Sequence, residues 1–306
     1  MTTLPALVLA AGQGTRLDPL TRLVSKAAVP LGGRTLIEHV LAWVRQQGVA
    51  DVVLNLYHLP ATITSIVGDG AHLGMRVRYS WEQPLLGSAG GPRHALPLLD
   101  ADEILIVNGD TLVGFGVDEM IGAHRESGAD VTMAVVPNPD PHHYNGLVVD
   151  ASGLVTGIAP RGAAEGTWHF VGVQAARSRA FEHLPDGVPA ETVAGFYRDV
   201  IREAPGRIRA WRANTTFLDV GTPRDYLEAA LTMRTDGWTA RRTVVWSEAH
   251  VDPGADLEDC VVAGPVRVPA RFRARSAVLV PEAVLKAGDR AAVRDGIAVF
   301  GLDRRG

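Results

Sequence analysis

The stretch that most constrains this chain is an apolar run, Leu7–Ala11, that leads directly into Gly12-Gln13-Gly14-Thr15-Arg16. The run predicts a buried strand, and the glycines after it allow the backbone to take φ > 0 without steric cost. A turn without Cβ atoms lets successive N–H groups converge on an anion. Leu17 stands where the dinucleotide-binding pattern has its third glycine, and no Gly-Lys-Ser/Thr follows, so the turn is neither that pattern nor a P-loop.

Two cations belong to this turn, Arg16 within it and Lys26 ten residues later. The planar guanidinium of Arg16 suits phosphate oxygens, whereas Lys26 supplies a compact point charge. The chain has only two lysines, Lys26 and Lys286, and its other basic side chains besides histidine are arginines. A lysine here therefore favours a role for an ammonium group, the alternative being an ordinary exposed lysine.

Composition excludes several classes of protein. The 306 residues suit one large domain with a small appendage, and the net charge of -4 gives no reason to expect nucleic acid or an anionic membrane as a partner. The single cysteine, Cys260, excludes a disulfide framework and suits a reducing compartment, so we expect a cytoplasmic protein. Leu4–Ala11 lacks the basic flank of a signal peptide, and no run is long enough to span a bilayer.

Strands and helices are predicted to alternate through the first half of the chain. Strands are predicted at Leu4–Ala11, Asp51–Tyr57, Met75–Trp81, Glu103–Val107 and Asp130–Val136, and helices at Thr35–Gln47, Ala61–Gly68, Ser88–Leu99 and Val117–Ser127. This order predicts an α/β fold, a Rossmann-like, mostly parallel mixed sheet with helices on both faces. Ligands of such sheets bind at the carboxyl ends of the strands, where Gly12–Arg16 and Asn108–Asp110 both fall.

The pattern changes after Tyr144 to shorter β segments. Strands are predicted at Gly146–Asp150, Leu154–Ile158, Trp168–Gln174, Arg207–Trp211 and Thr216–Val220, and helices at Thr192–Ala204 and Pro223–Arg234. The first of these helices is predicted to turn Phe196, Val200 and Ile201 inward.

The tail repeats every six residues. One series runs Val245, Val251, Leu257 and, after a one-residue slip, Val262, Val268, Ala274, Val280; a second lies four residues after each, at Ala249, Ala255, Val261, Val266, Phe272, Val278 and Val284. Such a period is typical of a hexapeptide β-helix, so we predict a short left-handed one, a plain β-rich tail being the alternative. The predicted domains are residues 1–236 and 243–306, and the tail is expected to serve packing or homo-oligomer formation.

Taken together, the opening residues resemble the signature of the sugar-1-phosphate nucleotidylyltransferases. The matching run is Leu9-Ala10-Ala11-Gly12-x-Gly14-Thr15-Arg16-Leu17-x-Pro19-Leu20-Thr21, then Lys26, then Pro30-Leu31-Gly32-Gly33-Arg34-Thr35-Leu36-Ile37-Glu38. Ser25 and Ala27 depart from the pattern, since the family usually places prolines on both sides of the lysine.

The resemblance implies an enzyme that converts an NTP and a sugar 1-phosphate into an NDP-sugar and pyrophosphate. Two polyanions must meet, so the site needs cations and a hard metal ion, and the family pattern implies Mg²⁺ held by Asp110 and Asp219. Arg16, Lys26 and Asp110 are the implied catalytic residues. Asp219 also interrupts the apolar run Phe217–Val220, where a carboxylate is costly unless it is paired or bound to metal. A turn or capping role is the alternative for each aspartate.

The nucleotide is expected to contact the opening turn and two later segments. Glu82–Gly91 resembles the base-binding segment, in which a carboxylate such as Glu82 can accept N–H groups from a guanine edge. The residues implied in nucleotide binding are Leu9, Ala10, Ala11, Gly12, Gly14, Thr15, Arg16, Glu82, Gly87, Ser88, Asn108 and Gly109. A simple Gly-Ser helix start is the alternative for Gly87 and Ser88.

The sugar phosphate is expected near Asn145, Gly146, Arg161 and Gly172. Many relatives carry Glu-x-Lys-Pro after the middle strands, whereas this chain has Ile158-Ala159-Pro160-Arg161, so Arg161 would have to replace the lysine. The N-acetylmuramate-1-phosphate uridylyltransferases resemble it in lacking that element. The tail resembles that of the mannose-1-phosphate guanylyltransferases, which favours GTP with mannose 1-phosphate. A uridylyl- or thymidylyltransferase, or a non-catalytic regulatory subunit that binds a sugar nucleotide, remains the alternative.

Overall fold

The structure is a computed structural model that describes residues 4–233 and 241–303. Its strands are β1 Ala6–Leu9, β2 Pro30–Leu31, β3 Arg34–Thr35, β4 Asp51–Leu56, β5 Arg76–Trp81, β6 Glu103–Asn108, β7 Thr111–Val113, β8 Val131–Pro137, β9 Gly146–Val149, β10 Val155–Ala159, β11 Trp168–Arg177, β12 Ile208–Arg212, β13 Phe217–Asp219, β14 Thr243–Val245, β15 His250–Val251, β16 Asp256–Val262, β17 Arg267–Val268, β18 Arg273–Pro281, β19 Ala292–Arg294 and β20 Ile297–Gly301. Its helices are α1 Leu36–Gln46, α2 Pro60–Val67, α3 Gly87–Leu99, α4 Asp118–Ser127, α5 Arg179–Glu182, α6 Tyr197–Glu203 and α7 Pro223–Thr232.

The described residues form two compact units. The first comprises the chain up to Gly12, Val40–Pro60 and Val67–Phe217; the second comprises Gln13–His39, Ala61–Ile66 and the chain from Leu218 onward. The alternating strands and helices predicted from the sequence are present. The segment predicted as a helix over Thr192–Ala204 begins as a π-helical turn, Thr192–Phe196, and becomes α-helical only at Tyr197. The predicted end of the last helix, Arg234, lies outside the described residues.

A nine-stranded sheet is the centre of the first unit. Four strands, in the order β6-β1-β4-β5, run parallel, with Ala6 of β1 beside Val52 of β4 and Leu105 of β6. Strands β1, β4 and β6 carry apolar runs because both faces of a parallel sheet are covered, whereas the edge strand β5 alternates polar and apolar residues. Strand β12 is also parallel to its neighbour β8.

The antiparallel pairs of this sheet involve β11 and the β9–β10 hairpin. Strand β11 lies between β6 and β8, and its register with β8 shifts between Phe170 and Gln174. Gly172, at φ 82°, occupies the shifted stretch, where the left-handed region favours glycine. The prediction of a mostly parallel mixed sheet is therefore confirmed, with the bulge at Gly172 as a local exception to regular pairing.

Helices α3, α5 and α6 cover one apolar face of this sheet. Leu7, Val53 and Ile106 pack in one cluster with Phe181 and Tyr197. The Tyr197 hydroxyl donates to Gln174 Oε1 over 2.8 Å, so the one polar atom of this buried ring is satisfied. Phe196, Val200 and Ile201 join the same cluster, as predicted. Among the described helices, none is long and apolar enough to cross a bilayer.

The tail in the second unit is built from parallel strands with a fixed offset. Val245 pairs with Val262, Val251 with Val268 and Leu257 with Ala274, each seventeen residues further along the chain. Three hexads would give eighteen, so the offset reproduces the one-residue slip found in the sequence. Inward residues of the successive strands form a core around the buried Cys260 and Leu279.

The regular repeat ends earlier than predicted. Leu279, and not Val280 of the predicted first series, lies beside Val262, and Val284 of the second series is only half-buried in a short 3-10 turn. The chain then reverses, because β20 pairs antiparallel with β18 and β19 with β20. This hairpin covers the edge of β18, which would otherwise be open to another strand.

A buried histidine in the first unit gives the fold a pH dependence. His124 of α4 is fully buried, and its Nδ1 lies 2.9 Å from the Thr132 hydroxyl, while its Nε2 has no hydrogen-bond partner among the described residues. Burial lowers the pKa of His124 to about 4. The unfolded chain, in which histidine has a pKa of about 6.5, binds more protons between these values, so acid must destabilise the fold.

We therefore expect His124→Gln to reduce the loss of stability in acid. The histidine contributes about 2 kcal/mol to the difference in unfolding free energy between about pH 7 and about pH 5. Urea unfolding at both pH values measures it, with the exposed His142→Gln as the matched control. A loss in His124→Gln as large as in wild type would contradict this account.

Candidate functional site

A cavity of about 240 Å³ opens at the carboxyl ends of the four parallel strands of the first unit. Its lining residues are Leu9, Ala11, Gly12, Asn55, Glu82, Leu85, Gly87, Ser88, Asn108, Asp110 and Glu191. Strands β1, β4, β5 and β6 thus each contribute a residue within one position of their last residue. This is the position at which open α/β sheets bind ligands, so the predicted nucleotide segments converge where the sheet topology requires.

A chain of buried hydrogen bonds forms one side of the cavity. The Ala10 N–H donates to Asn55 Oδ1 over 2.7 Å, and Asn55 Nδ2 donates to Glu82 Oε1 over 2.7 Å. The other carboxylate oxygen of Glu82 accepts the Leu86 N–H over 2.7 Å. Burial raises the pKa of Glu82, which is only 5% exposed. The chain ties together the ends of β1, β4 and β5.

Gly91 is needed beside this buried pair. A Cβ at position 91 would lie 2.7 Å from Glu82 Oε1 and 2.8 Å from Asn55 Nδ2, closer than real Cβ contacts allow. Each oxygen of Glu82 already accepts one bond from the chain itself. The Glu82 carboxylate therefore holds its own segment, Glu82–Gly91, in place through hydrogen bonds to Asn55 and Leu86.

Glu191 binds the start of helix α3. Its Oε2 accepts the N–H and the hydroxyl of Ser88, over 3.2 and 2.6 Å, and the Thr192 N–H donates to the Ser88 hydroxyl. The Ala190 carbonyl accepts from the N–H groups of both Ala89 and Gly90. These contacts satisfy N–H groups that a helix start leaves unpaired, and they fix the predicted Gly87–Ser88 segment.

Asn108-Gly109-Asp110 follows β6 at the edge of the cavity. The Gly109 N–H donates to the Leu9 carbonyl over 2.9 Å, and a Cβ at position 109 would lie 2.8 Å from that oxygen. Gly172 packs on Asn108 in the same way, since its Cβ would lie 2.9 Å from Asn108 Cβ. Close approach of backbones at these two glycines places Asp110, which is half-buried, at the cavity wall.

The β9–β10 hairpin brings together three of the four residues predicted for the sugar phosphate. Gly146 pairs with Ala159, and Asn145 Oδ1 accepts the Arg161 N–H over 2.9 Å. The side chain of Arg161 is exposed beside them. Gly172 instead packs on Asn108, as described above, so the structure assigns it a contact with the nucleotide segment.

An aromatic cluster next to Asn145 was not predicted. Tyr144 lies 4.2 Å from His169 between ring centroids, and His169 stacks on Phe217 at 4.8 Å. Burial lowers the pKa of His169 to about 4, so this ring is neutral at physiological pH. The three rings of the cluster are far apart in sequence, so no local spacing pattern predicts their contact.

The cationic residues of the signature lie in the second unit, in a tightly folded loop. Gly14 has φ 61°, whereas Gly12 does not use the positive-φ region that two glycines allow; a Cβ at Gly12 would meet nothing within 4 Å. A Cβ at Gly14 would lie 2.8 Å from Thr21 Cγ2 and 3.0 Å from Lys26 Cβ. The Thr21 hydroxyl donates to the Gly14 carbonyl. Gly14 is therefore what lets Lys26 approach the turn.

Arg16 and Asp219 meet at Gly221 in the same unit. A Cβ at Gly221 would lie 3.4 Å from Arg16 Nη1 and 3.4 Å from Asp219 Oδ2. Helix α7 begins directly after, with a capping box in which Thr222 and Asp225 bond each other's backbone and side chains. A capped helix start thus holds the Asp219–Gly221 turn and its half-buried carboxylate.

The donor chemistry of Asp110 and Asp219 suits a hard cation. Carboxylate oxygens are preferred by Mg²⁺, which usually takes only one or two of them and completes its shell with phosphate oxygens and water. Within residues 4–233 and 241–303, no group of three or more His, Cys, Asp or Glu side chains could hold a metal ion. A site made of protein ligands alone is therefore not found in this part of the chain.

Sequence reasoning missed Asn55 and Glu191. Asn55 carried a signal, a single amide inside the apolar run Asp51–Leu56, which is unusual for a strand buried on both faces. Glu191 carried none, because its partner Ser88 lies about a hundred residues earlier in the chain.

Comparison with known proteins agrees with this geometry. The family model described as "Nucleotidyl transferase" matches residues 5–236. A mannose-1-phosphate guanylyltransferase of Mycobacterium tuberculosis is 26% identical over 291 residues, 87% of this chain and 81% of that protein. An N-acetylmuramate alpha-1-phosphate uridylyltransferase of Neisseria meningitidis is 31% identical over 223 residues, 71% of this chain and 93% of that protein.

A solved structure shares the fold. HddC from Yersinia pseudotuberculosis, complexed with GMP-PN, superposes with a TM-score of 0.65 at 22% identity, over 75% of this chain and 99% of that chain. At this identity the likeness concerns the fold alone. With the family model matching most of the chain, and with the signature residues at the strand ends of an α/β sheet, the chain belongs to the nucleotidyl transferase family.

Proposed function

We propose that this protein transfers a nucleoside monophosphate from an NTP to a sugar 1-phosphate, releasing pyrophosphate and giving an NDP-sugar, with GTP and mannose 1-phosphate as the preferred pair. The observation that carries the proposal is the cavity at the ends of β1, β4, β5 and β6. Leu9, Ala11 and Gly12 of the signature line it together with Glu82, Gly87, Ser88, Asn108 and Asp110. Both relatives described above are named as sugar-1-phosphate nucleotidyltransferases.

In the proposed reaction a phosphate oxygen of the sugar 1-phosphate attacks the α-phosphorus, and pyrophosphate leaves with the electrons of the broken P–O bond. No covalent intermediate with the protein is needed. Catalysis then rests on positioning and on charge. N–H groups of the opening turn would bind phosphate oxygens, Arg16 would contact two oxygens at once, and Lys26 would add a compact charge.

We further propose that Asp110 and Asp219 hold Mg²⁺. The fit rests on their chemistry and on the order in which they match the family pattern. Both carboxylates are half-buried; Asp110 follows the buried strand β6, and Asp219 is the last residue of the half-buried strand β13. When bound, the ion neutralises phosphate charge and makes the α-phosphorus a better electrophile. The chain's own part is to hold the two carboxylates on short, capped or glycine-tied turns.

The choice of GTP and mannose 1-phosphate follows the relative from Mycobacterium tuberculosis, whose similarity extends through 87% of this chain. A uridylyl- or thymidylyltransferase for another sugar, such as N-acetylmuramate or glucose, is the second candidate. The missing Glu-x-Lys-Pro element and the uridylyltransferase relative favour it. A non-catalytic binding subunit is the third, and the presence of Lys26, Asp110 and Asp219 argues against it.

For the whole chain we propose a catalytic domain over residues 1–236, a tail over residues 243–306 and a cytoplasmic location. The family match over residues 5–236 supports the first boundary. The parallel coils with their seventeen-residue offset support a left-handed β-helix. The tail as a homo-oligomer contact is retained as part of the proposal, and the single buried cysteine suits a reducing compartment.

Pyrophosphate release with a panel of NTPs and sugar 1-phosphates tests the proposal. We expect the GTP and mannose 1-phosphate pair to give the highest kcat/KM. A higher value for another pair would replace the substrate assignment and keep the enzyme class. Absence of release with every pair, together with binding of an NDP-sugar, would support the regulatory subunit instead.

Asp110→Asn is expected to lower Mg²⁺-dependent turnover by about a thousandfold or more, because metal-based charge stabilisation is worth several kcal/mol. The amide keeps the size of the side chain, so the unfolding midpoint should change little. Asp295→Asn, in an exposed tail turn, is the matched control and should keep wild-type turnover. Turnover in Asp110→Asn equal to that of the control would remove Asp110 from the mechanism.

Arg161→Gln tests whether this arginine replaces the family lysine. We expect KM for the sugar 1-phosphate to rise about tenfold, the value of one charge-assisted hydrogen bond, with KM for the NTP unchanged. Arg198→Gln, another exposed arginine, controls for the lost charge. If both variants show the same KM for the sugar 1-phosphate, Arg161 does not bind the phosphate.

A further inference from the structure

Residues 13–30, which carry Arg16 and Lys26, are called the cationic loop here. Arg22 is a buried arginine in this loop, between those two residues in sequence. Its side chain is only 8% exposed, and its guanidinium is shared by two carboxylates. Nε and Nη2 donate to Asp18 over 2.5 and 2.6 Å, while Nη1 and Nη2 donate to Asp289, the second over 2.9 Å. Asp18 belongs to the loop, whereas Asp289 belongs to the end of the tail. One side chain therefore joins the two.

The tail surrounds this arginine with further contacts. The Val284 carbonyl accepts from Arg22 Nη1 over 3.1 Å, and the Phe300 ring lies under the guanidinium, 5.3 Å from its carbon to the ring centroid. Asp289 is itself held, because its Oδ2 accepts the Lys286 N–H over 2.7 Å. The hydrogen bonds of both neighbouring carboxylates raise the pKa of Arg22, so it stays charged at any physiological pH.

Two other contacts join the same tail to the same loop. The Tyr226 hydroxyl donates to the Pro30 carbonyl over 2.7 Å and accepts from Trp246 Nε1 over 2.8 Å. A Cβ at Gly264 would lie 3.1 Å from the Leu23 methyl groups, so the tail backbone touches the loop there. The loop is therefore contacted both before Lys26, at Arg22 and Leu23, and after it, at Pro30.

The loop transmits the position of Arg22 to the signature residues over a short path. Thr21, its immediate neighbour, donates its hydroxyl to the Gly14 carbonyl. Gly14 lies against both Thr21 and Lys26, with would-be Cβ distances of 2.8 and 3.0 Å. Thr21 and Lys26 both pack on the Gly14 turn, so a shift of Arg22 that moves Thr21 is expected to alter the turn against which Lys26 lies.

We propose that the tail holds the cationic loop in its working shape through Arg22, which makes Asp289 a positioning residue for Arg16 and Lys26. The inference rests on the proposed function and adds a catalytic duty to a tail otherwise assigned to packing or oligomer formation. Asp289 touches no substrate in this account. Displacement of a positioned group by about 1 Å can cost about a hundredfold in rate, so a remote support has a measurable effect.

The decisive variant is Asp289→Asn, which keeps the size of the side chain and leaves Arg22 paired with Asp18. We expect kcat to fall by at least about tenfold, with KM for the sugar 1-phosphate unchanged, because loop geometry is altered and the sugar contacts are not. Asp303→Asn is the matched control. It breaks another ion pair of the tail, with Arg224 at 2.8 Å, and should keep wild-type kcat. Arg22→Lys, made from the loop side, should reproduce the loss, since it removes the fork that binds two carboxylates.

Cys260 reports whether the tail remains folded in these variants. It is the only cysteine of the chain, it is fully buried in the tail core, and burial raises its pKa to about 11, so it should resist a thiol reagent while the tail is intact. Loss of kcat with a protected Cys260 supports positioning. Loss of kcat with a reactive Cys260 in both Asp289→Asn and Arg22→Lys would mean that the contact stabilises the tail only, and would overturn the proposal.

Hydrogen exchange supplies a readout that needs no activity. Amides of residues 13–29 should exchange faster in Asp289→Asn than in Asp303→Asn, while amides of β16 and β18 stay equally protected. If wild type shows no turnover with any substrate pair, the proposed function fails and the exchange result still decides whether the tail holds the loop. If the wild-type protein is active, unchanged kcat and unchanged exchange in Asp289→Asn would contradict the proposal that the tail positions the cationic loop.

Discussion

The hydrogen-bond chain from Ala10 through Asn55 to Glu82 is the constraint on which the candidate site depends. A buried carboxylate is costly unless its oxygens are satisfied, and here each oxygen has a donor. The same bonds tie three neighbouring strand ends and the turn at Leu86 into one arrangement. Ala10 and the segment Glu82–Gly91, more than seventy residues apart in sequence, are thereby held by side chains that a strand pattern alone would not require.

In the second unit, two cations are packed close to polar groups: Lys26 lies against the Gly14 turn, and Arg16 lies near the Asp219 carboxylate. Gly14 lets Lys26 approach the turn, and Gly221 lets Arg16 and Asp219 approach each other. An arginine and an aspartate placed together partly neutralise each other's charge, which lowers the cost of packing both against the same turn. The glycines are therefore needed for close packing of charged groups as much as for an unusual φ, and Gly221 has no positive φ at all.

Much of the fold could be predicted because its signals are local. Apolar runs predicted β1, β4 and β6, and the six-residue period with its one-residue slip is consistent with the seventeen-residue offset between paired strands of the tail. The missed features depend on partners that are distant in sequence. Glu191 pairs with Ser88, Arg22 with Asp289, and the aromatic cluster joins Tyr144, His169 and Phe217. Neither propensity nor spacing identifies such partners, because both describe only residues that are near each other along the chain.

The hairpin that carries Arg161 shows why the sugar is harder to assign than the reaction. Transfer of a nucleotide to a sugar phosphate brings two phosphate groups together whatever the sugar, so the charge requirement does not distinguish one sugar from another. Sugar identity instead depends on which hydroxyls meet which polar groups. Here the chain lacks the family's Glu-x-Lys-Pro and presents a planar guanidinium tied by its backbone to Asn145. A planar guanidinium binds phosphate from fewer directions than an ammonium does, so an arginine that took over the role proposed for Arg161 would narrow the poses open to the sugar phosphate.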